Sequence, residues 1–376
     1  MRRVQPKMVP KGQQSFLRHW RSISLACMEQ DERRHGKGGP MADDAALTHV
    51  FGVLDRLSHI AQAMHPRRLD ALVATLDDRE VNAESEQIAL AARFASRACA
   101  GLRAAPLADN PMLEAYRALR QYSRALEALA ALADADPRVG LYFLERRFRD
   151  DPAVQQRLAG PAHPDTGIFH SANETTERGG FSVYVPPFYN PATPMPVVMA
   201  LHGGSGHGRL FLWNWLPEAR ARGLIVIAPT AIGGTWSLME PEIDAGNLNA
   251  ILTRVRDRWT IDATHMLLTG MSDGGTFTLL SGVSDDSPFT HLAPVAGSFH
   301  PFLLAMTTPE RLTGLPIHLT HGALDWMFPV NMARTAYRTL KGAGAAITYR
   351  EIPDLSHAYP RDGQGEVVDW WLPGMQ

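Results

Sequence analysis

A serine flanked by glycines is the residue of this sequence with the clearest potential for chemistry. The run Gly270-Met-Ser-Asp-Gly274 follows an apolar stretch that is typical of a buried strand and precedes a helical pattern. A G-x-S-x-G turn in this setting holds its serine in a strained conformation with the hydroxyl facing outward, and its glycines avoid collisions with the neighbouring strand and helix. The pattern predicts that Ser272 is a nucleophile, provided that other residues supply a base, an orienting acid and donors for an oxyanion.

Two later loops supply a base and an acid in the order that such a serine requires. Asp325 and His357 each follow an apolar run, so both are predicted at the carboxyl end of a strand, on the sheet edge that also holds Ser272. An imidazole can take and return a proton at neutral pH, and a carboxylate behind it fixes the tautomer and stabilises the imidazolium. The sequence predicts the triad Ser272, Asp325 and His357, with Asp354, on the same loop as His357, as the alternative orienting acid.

Backbone donors for an oxyanion are predicted from a glycine-rich loop at the end of another apolar run. His202-Gly-Gly204 ends that run, and a loop of this kind can direct a backbone N–H at a developing negative charge. The expected donors are the N–H groups of Gly204 and of Asp273, the residue after the nucleophile. The Asp273 side chain is expected to cap the following helix and to point away from the pocket.

Other side chains near these loops are weaker candidates for binding. His202 and His207 share the glycine-rich loop without a nearby carboxylate or third ligand, so a metal site is not expected and His202 is predicted to pack beneath the loop. Three residues on loops of the same sheet edge are candidates for the substrate pocket, with burial in the core as the alternative: Trp236, His300 and Trp326. Metal, nucleotide and flavin cofactors are not implied, because the predicted hydrolytic chemistry accounts for the glycine-rich loops.

The elements that position these residues follow from hydrophobic periodicity. From residue 181 onwards strands alternate with helices, which favours a largely parallel sheet covered by helices on both faces, an α/β fold. The predicted strands are Phe181–Val185, Pro196–Leu201, Leu224–Pro229, His265–Thr269, His291–Val295, Ile317–Thr320 and Ile347–Ile352. The predicted helices are Arg209–Arg222, Asn247–Arg258, Gly275–Gly282, Val330–Gly342 and Glu366–Leu372. Ser272 follows a strand in the middle of this sheet, where open α/β sheets place their ligands.

An all-α region is predicted before the sheet. Residues 45–158 show four to six amphipathic helices, and three of their starts pair an Asx cap with a proline at the first helical position, at Asn110, Asp136 and Asp151. Residues 1–44 are interpreted as a disordered basic arm, since residues 1–40 hold nine Lys or Arg against three Asp or Glu. Residues 159–180 are predicted to be a linker, and residues 181–376 the catalytic domain.

Composition narrows the class of protein. The chain has 376 residues, of which 45% are hydrophobic and 20% charged, with a net charge of −2, so it is typical of a soluble globular protein and gives no reason to expect nucleic acid as a partner. Its two cysteines, Cys27 and Cys99, fit a reducing compartment, and a cytoplasmic location is expected. No run approaches a membrane span, and the apolar patch near the start is too short for a signal peptide. The start of the folded protein is either Met1 or Met41.

At this point the chain resembles a known superfamily. Between about residues 178 and 373 it is similar to α/β-hydrolases of the serine esterase type, either the phospholipase/carboxylesterase group or the polyhydroxybutyrate-depolymerase and feruloyl-esterase-like group. The resemblance depends on Leu201-His-Gly-Gly204, Gly270-Met-Ser-Asp-Gly-Gly275, His321-Gly-Ala-Leu-Asp325 and Ser356-His357. It implies an α/β-hydrolase fold and serine-dependent hydrolysis, without naming the substrate. The secreted depolymerase-like members usually carry signal peptides and disulfides, which this sequence lacks, and the helical region lies outside their usual core. Both differences favour an intracellular esterase of small or medium substrates.

The expected function is hydrolysis of a small-molecule carboxylic ester through an acyl-enzyme. A thioesterase or acyltransferase with the same triad, a short amide as substrate, and a non-catalytic binding protein on the same fold are the alternatives. The N-terminal helices are expected to form a lid or the interface of a homo-oligomer.

Overall fold

The computed structural model describes residues 40–361 and 363–375, and it describes residues 40–42 and 306 by their backbone alone. Most of the predicted basic arm, 1–44, lies outside the described residues, as does Cys27. The last residues of that segment, from Pro40 onwards, are helical and do not belong to a disordered arm. Cys99, the other cysteine, is free and buried.

Helices surround the sheet and precede it. In chain order they are α1 (Pro40–Ala63), α2 (Leu69–Val73), α3 (Glu86–Ala104), α4 (Pro111–Ala130), α5 (Pro137–Tyr142), α6 (Pro152–Leu158), α7 (Gly208–Phe211), α8 (Leu216–Arg222), α9 (Pro241–Arg256), α10 (Asp273–Gly282), α11 (Pro309–Leu312), α12 (Val330–Gly342) and α13 (Gly363–Trp371). The helix predicted over 209–222 is two helices joined by a 3₁₀ turn at Leu212–Asn214, because Pro217 can occupy only the first turn of a helix and therefore starts α8. In the described parts of the chain, none of these helices is both long enough and apolar enough to cross a membrane.

The sheet has the largely parallel arrangement that the sequence predicted. Its strands are β1 (Gly167–Ser171), β2 (Phe181–Val185), β3 (Met195–Leu201), β4 (Ile225–Pro229), β5 (Ile261–Met271), β6 (His291–Val295), β7 (Pro316–Gly322) and β8 (Ala346–Ile352). They lie in the order β1-β2-β4-β3-β5-β6-β7-β8, with β1 and β2 antiparallel to their neighbours and all the other pairs parallel. The carboxyl ends of β3, β5, β7 and β8 therefore meet at one edge of the sheet.

One strand was missed by the sequence analysis. Within 159–180, the segment predicted as a linker, Gly167–Ser171 pair with Phe181–Val185 and form β1 at the edge of the sheet. Four of the five residues of β1 are only half-buried, because an edge strand has one neighbour. Gly167–Ser171 therefore lack the apolar pattern that predicts the other strands. These five residues belong to the sheet and not to a linker.

The N-terminal helices pack on the sheet through a continuous apolar core. The three predicted caps are confirmed, since Asn110, Asp136 and Asp151 each accept a backbone N–H from the first turn of the following helix. The apolar stripes of α1 and α3 are buried together with one face of β3 and β4, including Val198 and Val226. The opposite face of the sheet packs on α9 and α10 in a second apolar cluster. Residues 43–376 accordingly form one compact unit.

Candidate active site

Ser272 lies in the sharp turn between β5 and α10. Its backbone has φ +56° and ψ −120°, a strained conformation for a residue with a side chain, and its N–H donates to the Val295 carbonyl at 3.0 Å. The flanking glycines make this turn sterically possible. A Cβ on Gly270 would come within 2.5 Å of the Gly274 backbone, and one on Gly274 within 2.4 Å of the His202 carbonyl oxygen. The turn therefore has the geometry of a nucleophile elbow.

His357 connects Ser272 with Asp325. Its Nε2 lies 3.0 Å from Ser272 Oγ, and its Nδ1 lies 2.8 Å from Asp325 Oδ2. The exposed fractions are 7% for Ser272, 8% for Asp325 and 3% for His357, so little water competes for these hydrogen bonds. Asp354, the alternative acid, is exposed. With an ionised Asp325, Nδ1 of the imidazole donates to the carboxylate and Nε2 is left to accept from the serine hydroxyl.

The carboxylate of Asp325 is held on both oxygens. The N–H groups of Met327 and Phe328 donate to Oδ1 at 2.9 and 2.8 Å, while Oδ2 faces His357 and lies 3.4 Å from Nε2 of the buried His321. Burial alone raises the pKa of this carboxyl. The hydrogen bond and charge of His357 and the Phe328 N–H outweigh burial, so the pKa of Asp325 is lowered overall. Asp325 therefore stays an acceptor at neutral pH.

The glycine-rich loop after β3 is supported from below by two buried rings. His202 is 1% exposed, with Nδ1 against the Gly203 carbonyl at 2.6 Å and Nε2 accepting from the Ala231 N–H at 3.1 Å. Burial lowers the pKa of His202 to about 3, so the ring is neutral and carries its proton on Nδ1. The Trp236 Nε1–H donates to the His202 carbonyl at 2.7 Å, and its ring stacks on Phe277. Both ring nitrogens of His202 are thus used by the backbone.

The two residues predicted to supply oxyanion donors are neighbours. A Cβ on Gly204 would lie 2.7 Å from Asp273 Oδ2, and a Cβ on the preceding Gly203 would lie 3.5 Å from the Ser272 Cβ. The Asp273 carboxylate accepts from Thr235 Oγ1 at 2.6 Å, so it faces the segments that carry Gly204 and Thr235. The loop that ends β3 thus lies directly against the nucleophile turn.

The structure separates the three candidate pocket residues. Trp236 is 2% exposed and supports the loop from beneath, so it does not line an open pocket. His300 is exposed and its Nδ1 accepts from the Phe302 N–H at 3.1 Å, capping a 3₁₀ turn. Trp326 is half-buried with its ring 6.3 Å from the His357 ring. Phe328, which the sequence analysis did not single out, is closer to His357, edge-on at 5.4 Å.

A residue of the N-terminal helices also reaches the site. The Tyr116 hydroxyl of α4 donates to the His357 carbonyl at 3.1 Å. No sequence signal indicated this contact, because 241 residues separate the two partners and helical periodicity marks only which face of α4 is buried. Within residues 40–361 and 363–375, no group of three or more His, Cys, Asp or Glu side chains is arranged to hold a metal ion.

Part of the chain is similar to a known protein family. The profile of the phospholipase/carboxylesterase family matches residues 236–369, the segment that holds all three residues of the serine–histidine–aspartate arrangement. Of the two groups that the sequence resembles, this is the one matched. Among curated proteins, no sequence matches.

Several solved structures overlap with part of the chain. A thermostable esterase is 19% identical, with a TM-score of 0.43 over 55% of this chain and 62% of its own. Esterase PE8 is 21% identical, with a TM-score of 0.42 over 50% of this chain and 96% of its own. The fluorophosphonate-binding serine hydrolase F of Staphylococcus aureus, with substrate bound, is 16% identical, with a TM-score of 0.46 over 56% of this chain and 99% of its own. The chain thus spans less than two thirds of the first of these proteins, and overlaps of this size support no conclusion about substrate. The sheet has the strand order of an α/β-hydrolase fold, and residues 236–369 are similar to the phospholipase/carboxylesterase family.

Proposed function

We propose that this protein hydrolyses carboxylic esters through an acyl-enzyme on Ser272. Ser272 Oγ attacks the ester carbonyl carbon while His357 Nε2 takes the hydroxyl proton, giving a tetrahedral oxyanion and an imidazolium. Asp325 orients the imidazole and stabilises its positive charge. Collapse of the intermediate breaks the bond to the alcohol oxygen, which receives the proton from His357 and leaves as the alcohol.

The second half-reaction uses the same groups with water as the nucleophile. His357 takes a proton from the water as it attacks the acyl-enzyme carbonyl, and returns it to Ser272 Oγ as the acid product leaves. The backbone N–H groups of Gly204 and Asp273 are proposed to donate to the oxyanion in both halves. Both residues border the nucleophile turn.

One observation supports this proposal above all others. The chain of contacts from Ser272 Oγ to His357 Nε2 at 3.0 Å, and from His357 Nδ1 to Asp325 Oδ2 at 2.8 Å, lies within hydrogen-bond reach throughout and is buried. General-base activation of a serine requires this arrangement, with the base held in one tautomer by an acceptor. The proposed substrate class, a small-molecule ester, agrees with the family match.

The test combines covalent labelling with ester hydrolysis. Wild type, Ser272→Ala and His357→Ala are treated with a fluorophosphonate probe and assayed on p-nitrophenyl esters from acetate to palmitate. We expect wild type to be labelled and active, and both variants to lose about three orders of magnitude or more in kcat/KM, as expected when members of one catalytic unit are removed.

Matched controls separate chemistry from folding. Ser284→Ala removes another serine hydroxyl, and His265→Ala breaks another His–Asp pair, the 2.7 Å contact with Asp262. Both controls are expected to keep wild-type labelling and activity. Folded wild type that is neither labelled nor active on any ester would refute the proposal, and labelling that persists in Ser272→Ala would refute the assignment of the nucleophile.

A further inference from the structure

Helix α4 makes polar contacts with both loops that flank Ser272. The Tyr116 hydroxyl donates to the His357 carbonyl at 3.1 Å, and Arg120 Nη2 donates to the Ser205 carbonyl at 2.8 Å. His357 belongs to the loop of the proposed base, and Ser205 directly follows the proposed oxyanion donor Gly204. A single helix outside the matched family segment therefore contacts the machinery on both sides of the nucleophile.

These contacts come from one face of the helix. Tyr116, Arg120 and Glu127 are spaced four and seven residues apart, which places them within about 40° of one another around the helix axis. Glu127 also contacts the catalytic half of the chain, accepting from Arg209 Nε at 2.7 Å. The other side of α4 packs on α3, where a Cβ on Gly101 would lie 2.9 Å from the Ala118 Cβ. Packing against α3 thus fixes one side of α4, and the polar residues on its other side contact the predicted catalytic domain, residues 181–376.

Both loops are anchored by the N-terminal helices. Ser205 is exposed and has φ +54°, a left-handed conformation that is strained for serine, and the Arg120 guanidinium binds its carbonyl. The loop of His357 has a second anchor from the N-terminal helices, since the N–H of Ser356 donates to the Gln62 carbonyl of α1 at 3.3 Å. A displacement of about 1 Å in such a loop is enough to change a reaction rate by about a hundredfold.

We propose that α4 is a clamp in which Tyr116 and Arg120 are positioning residues, holding the loops of His357 and Gly204 at the spacing that the reaction requires. The clamp rests on the proposed esterase function. It gives the N-terminal helices a positioning role in catalysis, distinct from a lid or an oligomer interface. Burial, and then the Asp325 charge nearby, raise the pKa of Tyr116, so its hydroxyl remains a donor over the whole range of an activity assay.

The test uses five single variants of the full chain: Tyr116→Phe, Tyr122→Phe, Arg120→Ala, Arg120→Lys and Arg117→Ala. Tyr116→Phe removes one hydroxyl, and Tyr122→Phe is its control on the same helix, with a hydroxyl that pairs with Ser58 of α1. Arg120→Ala removes the contact with the loop, and Arg117→Ala is its control, since Arg117 pairs with Glu114 of its own helix. Each variant is assayed for kcat and KM on p-nitrophenyl butyrate, for its rate of fluorophosphonate labelling, and for its melting temperature.

The expected result is a loss in kcat without a loss in substrate binding. Tyr116→Phe should lower kcat and the labelling rate about tenfold, the effect of one hydrogen bond of about 1.4 kcal/mol, with KM within twofold of wild type. Arg120→Ala should lower both about fivefold, and Arg120→Lys, which keeps a donor, should recover most of this loss. Both controls should remain within twofold of wild type in kcat, whatever their melting temperatures.

The outcomes distinguish the clamp from the function on which it rests. If Tyr116→Phe and Arg120→Ala keep kcat within twofold of their controls while Ser272→Ala abolishes labelling, the clamp is wrong and the esterase function stands. If folded wild type is not labelled and hydrolyses no ester, the esterase function fails and the clamp fails with it. Should Tyr116→Phe not fold, Arg120→Ala decides, because its side chain is exposed and its loss leaves no cavity.

Discussion

Replacing Asp325 by asparagine should reverse the tautomer of His357 and so disable the base. Asparagine can present either its oxygen or its NH₂ group to the imidazole, and the structure decides which. The N–H groups of Met327 and Phe328 donate to Oδ1 at 2.9 and 2.8 Å, and only an oxygen can accept from them. The NH₂ group must therefore face His357 Nδ1, which becomes an acceptor and leaves the ring proton on Nε2, toward Ser272 Oγ.

A protonated Nε2 cannot take the serine proton, so the expected loss is large. The same change in another Ser-His-Asp enzyme lowers kcat about 10⁴-fold, and we expect a loss of about 10³- to 10⁴-fold in kcat/KM here, equivalent to about 4–5.5 kcal/mol. Because both backbone hydrogen bonds are kept, Asp325→Asn should fold. Asp354→Asn is the matched control, since Asp354 is exposed and follows the same strand as His357.

The assay is hydrolysis of p-nitrophenyl acetate by purified wild type and the two variants, with urea unfolding as the measure of stability. Asp354→Asn should remain within about twofold of wild type. A folded Asp325→Asn variant that kept more than a tenth of the wild-type kcat/KM would rule out the reversed tautomer, and so would a large loss in Asp354→Asn instead.

Further predictions concern the support of the nucleophile turn. Gly274→Ala should lower the free energy of unfolding in urea by about 3 kcal/mol or more, because its Cβ would lie 2.4 Å from the backbone oxygen of His202. Gly246→Ala in α9, where a Cβ would meet nothing within 4 Å, should raise that free energy by about 0.5–1 kcal/mol. Equal effects of the two substitutions would contradict this prediction. Trp236→Phe should lose about 1 kcal/mol with its hydrogen bond to the His202 carbonyl, measured in the same way, and an unchanged stability would count against that bond. Acid should destabilise the fold through His202, because burial lowers the pKa of this residue to about 3 from its ordinary 6.5. As the pH falls, the unfolded chain binds the proton first. The stabilisation is therefore fully present above pH 6.5 and is lost toward pH 3, by about 1.4 kcal/mol per pH unit. The measurement is urea unfolding from pH 7.5 to 5, where His202→Asn should show a shallower slope than wild type, and identical slopes would exclude this residue as the cause.

The role of the N-terminal helices in assembly stays a prediction. Their apolar stripes, which suggested a lid or an oligomer interface, are buried within the chain against one another and against the sheet. Light scattering on the full chain would give the oligomeric state.

Features that depend on neighbours along the chain could be predicted from the amino-acid sequence alone. Helical and strand periodicity placed most of the sheet, because burial of alternate or every third to fourth side chain leaves a local pattern. The caps at Asn110, Asp136 and Asp151 were also predictable, since a cap and its first turn are within three residues of each other. The strained turn at Ser272 was visible for the same reason, through its adjacent glycines.

Features that depend on contacts between distant segments could not be predicted and became visible in the folded chain. It brought Asp325 rather than Asp354 to the His357 ring, although both acids follow strands at the same sheet edge. It placed Trp236 under the glycine-rich loop, where the sequence had left open either a pocket or the core. Edge pairing, not composition, made a strand of Gly167–Ser171.

The contacts of α4 show the physical reason most clearly. The periodicity of that helix indicated which side faces a core, but Tyr116 and His357 are 241 residues apart. Whether such a pair meets depends on how the helix packs over the sheet edge, and that packing is the sum of many apolar contacts between segments whose separate patterns do not specify their partners.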